Sequence, residues 1–126
     1  MKGFSIINEP RNGFSKARFR AIKETALGKD YRLNLIFTTP ARIKKLNLIY
    51  KDKDKATDIL SFPLSKKEGE IYICSSEARK EAVMFGRTYA NFILFLFIHG
   101  CVHLKGYEHG STMERVEARI RKQFKV

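Results

Sequence analysis

The sequence predicts a single α+β (α/β-like) domain over residues 1–126, one sheet covered by helices. Three observations predict it. Short alternating apolar stretches alternate with helical stretches along the chain. Helix caps and glycine stops punctuate those stretches. One long and very apolar helix near the end belongs at the centre of the packing.

Phe4 to Asn8 reads as a first strand, broken by Pro10-Arg11-Asn12-Gly13. Phe14 to Leu27 carries Phe14, Ala17, Ala21, Ile22 and Ala26 as a loose helical stripe, and Gly28 ends it. Tyr31 to Thr38 alternates through Tyr31, Leu33, Leu35 and Phe37, a strand pattern. Thr39 before Pro40 is an N-cap with proline at the first helical position, opening a helix to about Leu48. Lys51 to Ala56 is charged and reads as a loop. Asp58 to Phe62 reads as a short strand stopped by Pro63, and Lys66 to Gly69 as a turn. Glu70 to Cys74 alternates cleanly as a strand. Ser75 or Ser76 is the expected cap of a helix to about Phe85, with Gly86 its stop. Thr88 to Lys105 is the long apolar helix. Ser111 or Thr112 is the expected cap of a last helix with Met113, Val116, Ile120 and Phe124 on one face.

Composition narrows the function. Lys and Arg number 25 against 13 Asp and Glu, a net charge of +12. Such a surplus favours a polyanionic partner, nucleic acid before membrane. The run Phe92 to Ile98 is far short of the roughly 20 residues a membrane span needs. The stretch Met1 to Asn8 carries no signal-peptide pattern, so a cytoplasmic location is expected. Cys74 and Cys101 are then expected as free thiols.

All three histidines fall within His99-Gly100-Cys101-Val102-His103-Leu104-Lys105-Gly106-Tyr107-Glu108-His109. His99 and His103 are i and i+4 on the predicted helix, so their imidazoles share a face. Gly106 falls where the helix should end and can turn the chain, bringing His109 back as a third ligand. Three imidazoles around an open fourth position describe a catalytic zinc or similar divalent site. A histidine on an apolar helix is more often a hydrogen-bonded core residue, but three at this spacing are poor core filler. Cys101 points to the other side of the helix and reads as core. The string also resembles the His-Glu-x-x-His-x-x-Gly-x-x-His motif of metzincin proteases. Their general-base Glu falls on Gly100, which argues against peptide hydrolysis.

The whole string resembles the YbeY family of bacterial rRNA-maturation proteins, whose signature is His-Gly-x-Leu-His-Leu-x-Gly-Tyr-Asp-His. It matches at His99, Gly100, His103, Leu104, Gly106, Tyr107 and His109, with Val102 for Leu and Glu108 for Asp. Leu46-Asn47-Leu48-Ile49-Tyr50-Lys51 and Thr57-Asp58-Ile59-Leu60-Ser61-Phe62-Pro63 resemble the family's Leu-Asn-x-x-Tyr-Arg and Thr-Asp-Val-Leu-Ser-Phe-Pro. Gly69-Glu70-Ile71 resembles its Gly-Asp-Ile. The blocks keep their order over residues 46 to 109, and the first 45 residues fit only in outline.

The resemblance implies a mixed four-stranded sheet and one zinc (Zn2+) held by His99, His103 and His109. It implies a single-strand-specific endoribonuclease in rRNA processing, notably at the 3′ end of 16S rRNA, and in ribosome quality control. It implies partners on the small ribosomal subunit and an Era-type GTPase. The family's Arg falls on Lys51, which keeps the charge and loses the bidentate fork for a phosphate. Lys51, Lys53 and Lys55 are candidate RNA contacts, and Lys51 a candidate catalytic residue. Further lysines (Lys44, Lys45, Lys66, Lys67) and the basic last helix (Arg115, Arg119, Arg121, Lys122, Lys125) extend the charge. Glu108 or Asp58 is the expected partner orienting a histidine. Two routes to RNA cleavage stay open, attack by water on phosphorus and attack by the ribose 2′-OH. Two other readings remain: a non-catalytic, metal-stabilised ribosome-assembly factor that binds rRNA, and a metal hydrolase for another phosphate or amide substrate.

Overall fold

A computed structural model describes residues 3–10 and 14–126. The predicted break at Arg11, Asn12 and Gly13 lies outside the described residues, as do Met1 and Lys2. The elements run β1 (Phe4–Ile7), α1 (Lys16–Leu27), β2 (Arg32–Thr38), α2 (Pro40–Lys51), β3 (Ile59–Ser65), β4 (Glu68–Cys74), α3 (Ser75–Met84), α4 (Tyr89–Lys105) and α5 (Ser111–Phe124). The sheet is mixed, in the order β1-β2-β4-β3. β1, β2 and β4 run parallel to one another, and β3 returns antiparallel along β4.

Alternation along the strands sorts the two faces. Leu33, Leu35 and Phe37 of β2 and Ile71 and Ile73 of β4 enter the main core with α1, α4 and α5. Leu60 of β3 and Cys74 face the other way and pack on Ile43 of α2. Each fully buried Phe, Ile or Leu contributes about 1.5–3 kcal/mol, so α4, with Phe92, Ile93, Phe97 and Ile98 all near zero exposure, is the main anchor of the fold. Cys101 is buried there as expected and both cysteines are free. No single helix among the described residues is long and apolar enough to cross a membrane.

Four local expectations need correction. Pro63 does not stop its strand: β3 continues to Ser65 with a register shift between Pro63 and Ser65. β3 is an edge strand, where a residue without an N–H costs no ladder bond. The turn is correspondingly shorter, Lys66 and Lys67 alone joining β3 to β4. Neither Ser75 nor Ser76 caps α3, because the helix starts directly from the end of β4 and Cys74 holds the cap position without a side-chain hydrogen bond. Gly110, not Ser111 or Thr112, precedes α5 in the same way. The Thr39 and Thr88 caps do form, each oxygen accepting a backbone N–H three residues on.

Gly100 sets the distance between α4 and the sheet. A Cβ there would lie 2.9 Å from Ile71 Cδ1, 3.0 Å from Ser61 Oγ and 3.1 Å from Ile59 Cδ1. The position where a metzincin carries its base is here a close helix–sheet contact. Gly100→Ala is expected to lose about 1–3 kcal/mol by overpacking and to recover roughly 1 kcal/mol from alanine's helix propensity, a net loss read as a lower urea midpoint at unchanged m. A wild-type midpoint would show that the contact has slack.

Candidate active site

α4 is buried except along one stripe. Asn91, Phe95, His99 and His103 recur every fourth residue and are only partly covered. α5 lies over this stripe, and Glu117 from α5, only 7% exposed, reaches His99. Both Glu117 carboxylate oxygens stand 3.1 Å from His99 Nδ1. A proton on Nδ1 donated to that carboxylate leaves Nε2 with its lone pair free. The Glu117 hydrogen bond is also the main reason the His99 pKa is raised, against the opposing effect of burial.

Gly106 ends α4 in the left-handed region (φ 112°), with its N–H donated to the His103 carbonyl at 3.0 Å. The chain turns back there, and the His109 ring comes to 5.6 Å from the His99 ring and 5.9 Å from the His103 ring, centroid to centroid. The three rings line one cleft of about 310 Å3 together with Lys51, Lys53 and Lys55. Residues far apart in sequence thus meet, because the end of α2, the loop after it and the start of β3 line the same cleft as the histidines.

Asn47 pins that loop. It is 3% exposed, its carbonyl accepts the Lys53 N–H at 3.2 Å, and its Nδ2 donates to the Lys55 carbonyl at 3.0 Å. Asp52 adopts a left-handed conformation (φ 57°) to let the chain leave α2. The lysines therefore stand on a held backbone, and among the described residues their side chains make no ion pair. Burial lowers the His103 pKa, and His109, Lys51 and His99 lower it further. His103 is thereby kept as the neutral imidazole.

The expected orienting carboxylates are not the ones in place. Glu108 is exposed. Asp58 is half-buried with its pKa raised, by burial first and then by Glu81, and its hydroxyl partner is Thr57 at 3.5 Å. Glu117 holds His99 instead. Its sequence signal was its position, a lone carboxylate beside Val116 in the apolar face Met113, Val116, Ile120 and Phe124. Arg121, one of the basic residues of α5, is occupied structurally. It lies 3.8 Å from Glu117 and its guanidinium sits 5.3 Å from the Phe95 ring centre. Lys66 and Lys67 line a different cleft, with Lys29 and Lys105. Lys44 stands 3.9 Å from Asp54.

A three-imidazole set can be tested for fit to a metal. Around a tetrahedral ion with bonds of about 2.0–2.1 Å, the ring centres stand about 5 Å apart. The His99–His109 and His103–His109 ring centres, at 5.6 and 5.9 Å, stand wider than that spacing by up to about 0.9 Å. His103 Nδ1 is buried without a hydrogen-bond partner among the described residues, as a nitrogen open to a ligand would be. Among the described residues no three His, Cys, Asp or Glu side chains stand as a ready-closed metal group. The three imidazoles fit a divalent ion in the chemistry of their donors, and their rings stand wider than in a closed site.

Imidazoles beside lysines, in a cleft at the edge of a mixed α+β sheet, make a basic site of a kind suited to an anionic ester. The comparisons make this particular. A family model described as Endoribonuclease YbeY matches residues 6–125. The Endoribonuclease YbeY of Mycoplasmopsis synoviae is 36% identical over 101 residues, 72% of this chain and 65% of that relative. That of Finegoldia magna is 31% identical over 120 residues, 90% of this chain and 78% of the relative. That of Staphylococcus aureus (strain JH9) is 32% identical over 111 residues, 77% and 72%. The solution structure of TM1509 from Thermotoga maritima superposes with a TM-score of 0.68 at 27% identity, covering 96% of this chain and 88% of that one. The chain belongs to the YbeY endoribonuclease family.

Proposed function

We propose that this protein is a zinc-dependent endoribonuclease that cuts single-stranded RNA during maturation of the 16S rRNA 3′ end and in ribosome quality control. The observation that carries the reading is the gathering of three imidazoles and three lysines in one cleft. His99, His103 and His109 would hold the metal. When bound, zinc supplies a Lewis acid and lowers the pKa of a water to about 7.

The chain's own groups do the rest. Glu117 fixes the His99 tautomer and ring angle through Nδ1. Lys51, Lys53 and Lys55 hold phosphate oxygens at the cleft mouth and offset the charge that develops on the phosphoryl group. Asn47 keeps two of those lysines at fixed backbone positions. Ser61 and Ile59 form the floor that Gly100 allows to lie close to α4. Activity in the cytoplasm, on the small ribosomal subunit and beside an Era-type GTPase is part of the same proposal.

The lysines predict a salt law. Each phosphate contact on a single strand contributes a slope of about −0.7 to log affinity against log salt. Lys51→Ala/Lys53→Ala/Lys55→Ala is expected to flatten the slope by about 2. An unchanged slope would remove these lysines from the interface. Lys51→Arg restores a bidentate fork and is expected to raise cleavage.

The test of the proposal is cleavage of a single-stranded RNA and its duplex before chelation, after chelation and after zinc is returned. Loss and recovery confined to the single strand is expected. Cleavage indifferent to the chelator contradicts the metal, and equal cutting of the duplex contradicts the strand preference.

A further inference from the structure

Tyr50 stands next to Lys51 at the end of α2 and is 64% exposed, an unusual place for so large an aromatic ring. It is not loose. Its ring packs on Phe62 of β3 at 5.1 Å between centroids, and Phe62 packs in turn edge-on to Tyr72 of β4 at 5.8 Å. Phe62 follows Ser61 on β3 and turns to the opposite sheet face, outside the histidine cleft that Ser61 lines, and Tyr50 precedes Lys51, which lines that cleft. One side of the Tyr50 ring is thus backed by a fixed aromatic row, and the rest is open to solvent. The charged loop beside it is the only lysine run of the cleft among the described residues.

We infer that Tyr50, backed by Phe62, is a stacking platform for an unpaired base of the RNA strand whose phosphates lie along Lys51, Lys53 and Lys55. The inference rests on the proposed RNA reading of the cleft. A lysine track bordered by an aromatic ring is the arrangement that binds single strands, because phosphates meet the charges while an unstacked base finds a π-face. A base within a duplex has both faces covered by its neighbours and cannot use such a ring. Tyr50 would therefore contribute to the choice of single strands, without reading base identity. The phenol hydroxyl plays no part in stacking, so phenylalanine should serve equally. Tyr50 is a binding residue and touches no reacting atom.

The test compares binding of a short fluorescent oligoadenylate with that of an abasic oligomer of equal length and charge, by anisotropy, with probe integrity checked on a gel. Wild type is expected to prefer oligoadenylate by about ten-fold, the scale of one base–aromatic stack. Tyr50→Ala is expected to bind both probes alike, at the wild-type affinity for the abasic one. Tyr50→Phe is expected to keep the preference, and thermal melting shows that both variants fold. A preference that survives Tyr50→Ala, or is lost in Tyr50→Phe, overturns the platform. Equal wild-type binding of both probes overturns it too, while the RNA reading stands. Wild type that binds neither probe overturns the RNA reading itself.

Discussion

His103→Ala is expected to lose RNA cleavage by about a thousand-fold or more while remaining folded. The magnitude follows from two constants. A bound metal stabilises transition-state charge by several kcal/mol, and each 1.36 kcal/mol is about ten-fold in rate. His103 sits on the stripe of α4 that faces the cleft and is only partly buried, so its truncation opens a surface hollow and no core cavity. The neighbouring core residues Val102 and Leu104 keep α4 in place. The measurement is single-turnover cleavage beside a denaturation curve. A variant that cuts within ten-fold of wild type would show that the metal, or this ligand, is dispensable.

Glu117→Gln carries the second largest effect and is the sharper probe, because Glu117 touches no substrate. Its two oxygens stand 3.1 Å from His99 Nδ1 and it lies 3.8 Å from the Arg121 guanidinium. Glutamine keeps the size and one acceptor and removes the negative charge. Partners of this type typically contribute about 10–100-fold to metal affinity or activity. The expected result is a loss of that size in zinc affinity, read by competition with a chromophoric chelator, and a parallel loss in cleavage. The role is one of positioning, so Glu117→Asp should retain part of the zinc affinity that Glu117→Ala loses. Zinc affinity unchanged in Glu117→Gln would show that the carboxylate serves packing alone.

What the sequence disclosed divides by range. His99, His103, Gly106 and His109 are governed by helix period and one glycine, so their convergence is legible locally, and the structure places their rings within 6 Å of one another in two of the pairs. The strands and helices were legible for the same reason. The misplaced stop at Pro63 came from not knowing that β3 lies at an edge. The misplaced caps at Ser75 and Ser111 came from helices that begin without a side-chain cap. Glu117 was illegible as a site residue because it acts across the fold, from α5 onto α4, and Asn47 because the course of the loop it holds is not set by helix or strand period. Lys51 entered through resemblance, and only the packing of α2 against β3 brings it to the histidines. The basic surface shows the same limit. Charge alone could not separate Lys51, which lines the cleft, from Arg121, which is held by Glu117 and Phe95.

The most direct measurement puts wild type beside His99→Ala/His103→Ala, purified identically, and reads metal content and cleavage of a single-stranded RNA on the same samples. About one zinc per wild-type chain and chelator-sensitive cleavage are expected, both absent from the double variant. Equal cleavage by the two proteins would assign the activity to a contaminant. Stoichiometric metal in a wild type that cuts nothing would contradict the account and leave a metal-stabilised RNA-binding protein in its place.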